Sequence, residues 1–201
     1  VAIISVASTF PDHSRAGRPR NGVRGRPGLN PLRFTTTYVV PRERLEQLRT
    51  LQADLTGRPP VQGDGLTFFG RRFITGPRSE IRTEPNQDDL DGIAAVVRNA
   101  SRLADYTLVT IHAHEGAQNR SVPAPFLVTF AHAMIDAGAD VFAGHGPHVL
   151  RGIEMYKGKP ILYSLGDFIF QNETVLRLPG ENYEPYDLGP SAGVAGFNDS
   201  R

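Results

Sequence analysis

The Gly-His-Gly-Pro-His run at residues 144–148 constrains the fold of this chain more than any other stretch. Because Gly and Pro interrupt it, His145 and His148 cannot form a helical pair, and the run predicts a sharp loop. The apolar residues 141–143 directly before it are typical of a buried strand. Loops at strand ends often carry binding groups. The two imidazoles are therefore predicted to converge on a ligand, with a transition metal as the first candidate.

A second loop carries similar chemistry. Residues 110–116 (TIHAHEG) end another predicted strand and supply His112, His114 and Glu115, so four of the six histidines lie in these two loops. Several imidazoles with a carboxylate suit Zn²⁺, Mn²⁺ or Fe and are too rich in nitrogen for Ca²⁺ or Mg²⁺. The alternative is that each histidine only hydrogen-bonds the backbone of its turn. Glu115 could be a ligand, orient a histidine or act as a general acid.

Composition narrows the class of protein. A chain of 201 residues with 39% hydrophobic residues is long enough for one globular domain with a core. The absence of cysteine excludes disulfides, thiolate ligands and a cysteine nucleophile. No apolar stretch reaches the roughly 18 residues that span a bilayer. The apolar opening at residues 1–7 has no basic residue before it and is interpreted as a buried strand, not a signal peptide.

Periodicity predicts alternating strands and helices. Strands are expected at residues 1–8, 33–40, 106–111 and 141–143, hairpins at 65–75 and 153–165, and helices at 41–55, 88–105 and 124–137. This alternation indicates an α/β layered architecture, in which ligands bind at the carboxyl ends of the strands.

An arginine-rich loop is predicted at residues 11–31. No aromatic residue lies between Phe10 and Phe34 to stack on bases, which argues against nucleic acid as a partner. Arg18, Arg24 and Arg26 are interpreted as groups that hold an anionic substrate, with a merely solvated loop as the alternative.

Four further residues have a structural interpretation, and for two of them, Asp167 and His132, a functional one is open as well. Asp167 could bring a carboxylate to a bound substrate or could stabilise its loop through an Asx turn. His132 lies within a predicted helix and is expected to pack there, although it could be a ligand. The expected role of Asp136 and Asp140 is to end a helix and begin a strand.

Four stretches together resemble the CapA/PgsA family of bacterial poly-γ-glutamate capsule proteins, of the calcineurin-like metallophosphoesterase superfamily. They are the opening AIISVAST, GRPGLNP at residues 25–31, HAHE at residues 112–115, and residues 135–170, which hold the Gly-His-x-Pro-His turn and a Tyr-Ser-Leu-Gly strand. The resemblance implies a four-layer α/β/β/α metallophosphoesterase-like sandwich with two divalent metal ions (Mn, Fe or Zn). By matching motifs, His112, His145 and His148 would bind metal, with His114 or Glu115 as the group that transfers a proton.

The chain departs from the superfamily pattern in three respects. The paired histidines are separated by one extra residue, and Asp167 stands where the capsule family is expected to have Asn. The Gly-Asp and Asn-His motifs that normally precede these histidines have no convincing copy, and Gly63-Asp64 is a poor substitute. Because the chain opens inside a predicted strand without Met, residues 1–201 are expected to be a truncated fragment, the C-terminal part of one CapA-like domain.

The resemblance also implies a function and partners. The expectation is a protein of capsule biosynthesis or export that hydrolyses a phosphoester or related anionic substrate. The alternative is a non-catalytic protein that holds an anionic polymer such as poly-γ-glutamate during export. Other capsule-export proteins are the expected partners, and the cell envelope is the expected location.

Overall fold

A five-stranded sheet forms the centre of the molecule, and the computed structural model describes residues 1–17, 19–60, 62–167 and 178–199. In spatial order its strands are β1 (Ala2–Ala7), β6 (Thr107–His112), β7 (Val141–His145), β9 (Lys159–Leu162) and β8 (Ile153–Tyr156). All pairs are parallel except β8 with β9, which form a hairpin. Parallel strands end at the same edge, so β6 and β7 deliver their last residues, His112 and His145, side by side.

Two helices cover one face of this sheet. Alternate residues of β6, including Val109 and Ile111, are fully buried, as expected for a strand with one face on the core. The helices α2 (Gln87–Ala100) and α3 (Pro125–Asp136) pack against each other and against this sheet. The side chain of Asn86 caps α2 by accepting a hydrogen bond from the amide of Asp89.

A second, four-stranded sheet lies on the other side of α3. Its order is β3 (Gly65–Phe68), β4 (Arg71–Thr75), β2 (Phe34–Val40) and β5 (Glu80–Pro85), and it also contacts α1 (Arg42–Thr56). The ring of Phe34 stacks on Phe126 of α3 with centroids 4.2 Å apart, and the amide of Phe126 donates to Oγ1 of Thr83 at 3.1 Å. α3 therefore contacts both sheets.

The predicted α/β class is confirmed, and most predicted elements are present. The helix expected at residues 88–105 ends earlier, at Ala100, where Ser101 caps it through its backbone amide. β5 was not predicted, because its sequence EIRTEP combines charges with a proline and lacks the usual composition of a strand. Pairing with β2 along its whole length makes it a strand.

The chain divides into two compact units, Val1–Gly166 and Asp167–Arg201. In the described part of the second unit, 3-10 turns at Gly180–Asn182 and Glu184–Tyr186 precede α4 (Val194–Asp199). That the whole chain belongs to a single domain stays a prediction. Among the described helices, none combines the length and the hydropathy needed to cross a bilayer.

Candidate functional site

Four histidine rings lie next to one another at the carboxyl edge of the five-stranded sheet. Nδ1 of His112 is 3.3 Å from Nδ1 of His145, its neighbour in the β6–β7 register. On the other side of the same ring, Nε2 of His112 is 3.0 Å from Nε2 of His114. The ring of His148 meets His114 edge-on, with centroids 5.6 Å apart. The four histidines singled out in the sequence thus form one continuous row.

The turn after β7 holds two residues with positive φ. Gly146 has φ 117°, and a Cβ added there would lie 3.0 Å from Cδ2 of His114 and 3.1 Å from the amide nitrogen of Ala113. His148 has φ 59°, a left-handed conformation that is uncommon for a residue with a side chain. Strained conformations of this kind tend to occur at functional sites. Glycine at position 146 is required because the two histidine loops approach each other so closely.

Glu115 connects the loop after β6 to the loop after β1. Its Oε2 accepts a hydrogen bond from Oγ of Ser8 at 2.8 Å, and its Oε1 accepts one from Oγ1 of Thr9 at 2.9 Å. Thr9 Oγ1 also accepts from the amide of His114 at 3.0 Å. Because both carboxylate oxygens are engaged, these contacts favour the orienting role over that of a general acid. Ser8 and Thr9 were not singled out in the sequence, since isolated hydroxyl residues carry no motif.

Two arginines connect the histidine loops through hydrogen bonds to backbone carbonyls. Arg151 is only 5% exposed and donates from Nε to the carbonyl of Arg120 at 2.8 Å and from Nη2 to the carbonyl of Glu115 at 2.8 Å. Burial lowers the pKa of Arg151 from its ordinary value. Arg120 in turn donates to the carbonyl of Pro147 at 2.7 Å. Sequence reasoning missed both residues, although Arg151 lies three residues after His148.

The electrostatics of the site favour the neutral form of the His145 imidazole. Burial, and then the nearby His112, lower the pKa of His145. A neutral imidazole keeps one nitrogen lone pair available for a proton or a metal ion. Among the described residues, however, no group of three or more His, Asp or Glu side chains converges closely enough to hold a metal ion. The metal-binding roles of His112, His145 and His148 therefore stay predictions.

The arginine-rich loop returns to the same edge of the sheet. The amide of Ala7 at the end of β1 donates to the carbonyl of Asn30 at 3.0 Å. Arg26 donates to the carbonyl of Arg15 at 2.8 Å and lines a cavity of about 290 Å³. The described lining of that cavity includes no histidine. Arg24 is exposed. The substrate-binding roles of Arg24 and Arg26 stay predictions.

Two other residues have predicted substrate-binding roles. Arg18 lies outside the described residues. Asp167 is the first residue of the second unit, and its predicted role is untested.

The remaining polar candidates have structural roles. His132 stacks on Tyr156 with centroids 4.0 Å apart, and its Nε2 lies 2.9 Å from Oε1 of Glu154, which agrees with the packing role predicted for it. Asp136 is the last residue of α3, and Asp140 precedes β7 and accepts the amide of Thr107 at 2.9 Å.

Comparison with known proteins identifies the family. The model of the bacterial capsule synthesis protein family PGA_cap matches residues 8–172, which include every histidine of the row. The chain belongs to this family. Its two-sheet α/β architecture is that of a metallophosphoesterase-like fold, as the sequence predicted. The family membership confirms the CapA/PgsA resemblance.

Individual relatives cover different shares of the chain. An uncharacterized protein of Sinorhizobium fredii is 39% identical over 194 residues, which is 94% of this chain and 41% of the relative. A probable polyglutamine synthesis accessory protein of Mycobacterium tuberculosis is 41% identical over 95 residues, 47% of this chain and 24% of that protein. The capsule biosynthesis protein CapA of Bacillus anthracis is 46% identical over 63 residues, 31% of this chain and 15% of its own length. The chain thus spans about two fifths of the S. fredii relative.

Proposed function

We propose that this capsule synthesis protein uses its histidine row as a divalent metal centre that hydrolyses a phosphoester or a related anionic substrate. The observation that carries the proposal is the 3.3 Å separation between the Nδ1 atoms of His112 and His145. Two nitrogen ligands at about 2.0–2.1 Å from a tetrahedral zinc ion are separated by roughly the same distance. The lowered pKa of His145 agrees with ligation, because only neutral imidazole binds a metal.

The residues of the row would have different roles. His112 and His145 would hold the first ion through Nδ1, and His148 is the candidate for a further ligand. Mn, Fe or Zn would suit these donors, in two ions if the rest of the protein adds ligands. A bound ion would act as a Lewis acid toward the substrate.

His114 is the candidate for proton transfer. If Nδ1 of His112 faces the ion, its Nε2–H donates to Nε2 of His114 across 3.0 Å. Metal-bound histidines commonly donate their second ring N–H to such a partner, which fixes the tautomer and the orientation of the ring. Glu115, held by Ser8 and Thr9, would keep His114 in position through the backbone between them.

A non-catalytic role is the second candidate. In it, the protein would hold an anionic polymer such as poly-γ-glutamate and pass it to other export proteins. The exposed Arg24 of the arginine-rich loop supports this candidate, and so does the absence of a third converging ligand among the described residues. Arg26, which lines a separate cavity, would then contact the polymer.

Metal content and turnover test the proposal together. The protein, purified without chelator, should contain Mn, Fe or Zn near stoichiometry and hydrolyse a chromogenic phosphodiester or phosphomonoester. The double variant His112→Ala/His145→Ala should lose both, while His13→Ala, which removes an exposed imidazole outside the row, should lose neither. His114→Ala should retain metal and lose turnover.

Two results would contradict the metal hydrolase. One is a folded protein that takes up no metal at saturating Mn²⁺ or Zn²⁺ and shows no turnover. The other is metal uptake that the double variant leaves unchanged. Binding of soluble poly-γ-glutamate that Arg24→Gln/Arg26→Gln abolishes, without turnover, would support the second candidate instead.

A further inference from the structure

The tip of the β3–β4 hairpin carries an aromatic residue where one is unfavourable. Phe68 pairs with Arg71, so Phe69 and Gly70 form a two-residue loop. Both have positive φ, 43° and 77°. Such a turn favours Asn-Gly or Asp-Gly, and a bulky residue in the left-handed region is strained. The local backbone therefore gives no reason for phenylalanine at position 69.

The side chain of Phe69 is not used for packing in the core either. It is 67% exposed, and its ring meets Phe68 in a T-shaped arrangement, with centroids 4.8 Å apart. Phe68 in turn meets Phe73 edge-on at 6.3 Å. The hairpin thus has a small aromatic cluster at its tip, in which Phe69 contacts Phe68 and is otherwise largely exposed to solvent.

Two arginines lie directly beside this aromatic tip. The fifteen residues from 65 to 79 contain Arg71, Arg72 and Arg78 and no carboxylate. Arg78 pairs with Glu80 at 3.2 Å. The side chains of Arg71 and Arg72 are exposed, and within the described part of the chain they make no hydrogen bond or ion pair. Two guanidinium groups directly beside the tip are therefore available to an anionic partner.

The end of α1 extends the same surface. Gln52 donates from Nε2 to the carbonyl of Thr67 at 2.8 Å, which brings this part of the helix beside the hairpin. One turn later, Leu55 is 62% exposed, and the exposed Arg58 follows the helix. The end of α1 beside the hairpin thus carries exposed apolar and charged side chains, Leu55, Arg58 and the acidic Asp54.

We propose that this hairpin tip, Phe68–Arg72, is a peripheral docking site for an anionic lipid surface. Aromatic rings prefer the headgroup level of a bilayer, where one end of the ring is apolar and the other is hydrated. Arginines immediately beside them bind the phosphates of anionic lipids, since the planar guanidinium matches phosphate oxygens. A protruding tip can enter a headgroup layer, whereas a soluble polymer chain would be held better by a groove.

A single-tryptophan variant tests the proposal directly. The chain contains no tryptophan, so Phe69→Trp introduces a unique fluorophore at the tip. Its emission should shift to the blue on addition of vesicles with about one third phosphatidylglycerol, and should not shift with pure phosphatidylcholine. The shift should weaken as salt is raised, because the Debye length falls to about 3 Å at 1 M.

Three variants separate the contributions to vesicle binding. Arg71→Gln/Arg72→Gln should weaken cosedimentation with the anionic vesicles about 30-fold, or about 5-fold for each arginine. Phe69→Asn should weaken it while raising the thermal midpoint, because asparagine tolerates the left-handed conformation. Arg98→Gln/Arg102→Gln, which removes two exposed arginines near the end of α2, should change binding by less than about 2-fold.

Several outcomes would overturn the docking site. The emission of the Phe69→Trp variant could stay unshifted with anionic vesicles, or shift equally with neutral ones. The Arg98/Arg102 variant could lose as much binding as the tip variants, which would indicate a response to net charge alone. A shift with soluble poly-γ-glutamate but not with vesicles would assign the tip to a polymer.

Discussion

The turn after β7 and the tip of the β3–β4 hairpin each hold a bulky residue with positive φ, but only the first is held by contacts from several sides. His148 follows Pro147, whose carbonyl accepts from Arg120. Phe69 stands 67% exposed at the tip of its hairpin. Strain persists only where something compensates for it. At His148 the compensation lies inside the fold, whereas at Phe69 the proposed lipid contact would add to the support that the hairpin gives.

The largest expected effect concerns Arg151, which supports the turn after β7 through its hydrogen bond to Arg120. Arg151→Met would leave the carbonyls of Arg120 and Glu115 without their buried, charged donor. We expect a loss of about 3 kcal/mol in the free energy of unfolding, which corresponds to about 6–12 °C in the thermal midpoint. Thermal unfolding followed by circular dichroism measures it.

The matched control is the exposed Arg102, where Arg102→Met should change stability by less than about 0.5 kcal/mol. If Arg151→Met lowered the unfolding free energy by less than about 1 kcal/mol, the contacts around the turn after β7 would support it little more than the hairpin tip is supported.

A somewhat smaller effect is expected at Gly146. Gly146→Ala would introduce a Cβ 3.0 Å from His114 at φ 117°, so strain and crowding add. We expect a loss of about 2 kcal/mol in unfolding free energy and displacement of the His114 ring, visible as changed imidazole chemical shifts in NMR spectra.

Gly152→Ala is the control for Gly146→Ala, since a Cβ at Gly152 would meet nothing within 4 Å. Equal effects at the two glycines would show that the close approach of the histidine loops does not constrain position 146.

The smallest effect compares one carboxylate from each sheet. The amide of Thr107 and then Lys159 lower the pKa of Asp140, whereas hydrogen bonds from Arg82 and Arg78 lower the pKa of Glu80. In 1 M salt the pKa of Glu80 should rise back toward its ordinary value, because screening weakens its pairs with the exposed side chains of Arg78 and Arg82. The pKa of Asp140 should move less, since a backbone hydrogen bond is its main cause. NMR titration of the side-chain carboxyl carbons measures both.

The sign of the accompanying pH dependence follows from the lowered pKa values. A carboxyl group with a lowered pKa in the fold stabilises the protein above its unfolded pKa, and this contribution is lost as the pH falls through the folded pKa. For Asp140 this window lies below about pH 4. The stability of Asp140→Asn should therefore approach that of the parent protein in acid, and an undiminished difference there would contradict the assignment.

Sequence reasoning succeeded where the signal is local. The Gly-His-Gly-Pro-His run predicts two histidines on a loop at a strand end; the structure places His148 in the turn after β7, whereas His145 is the last residue of that strand. The helix predicted at residues 124–137 ends beside Gly138, whose φ of 112° suits the glycine that commonly follows a helix. Each of these features depends on neighbouring residues alone, so short patterns were sufficient to predict it.

Sequence reasoning failed where a residue acquires its role from a distant partner. Ser8 and Thr9 look like ordinary polar residues until they meet the carboxylate of Glu115. Arg151 resembles a surface arginine, yet only 5% of it is exposed. β5 looks too polar for a strand until it pairs with β2. Neither composition nor periodicity indicates which distant residue such a side chain or strand will contact.

The sequence by itself determined the α/β class, the strand-end positions of the histidines and the family of the chain. Only the tertiary structure decided that His112 lies opposite His145, that His114 is the next ring in the row, and that two arginines connect the loops beneath them. The physical reason is the range of the interactions. Strand and turn preferences arise within a few residues, whereas strand register and buried hydrogen bonds depend on groups brought together from distant parts of the chain.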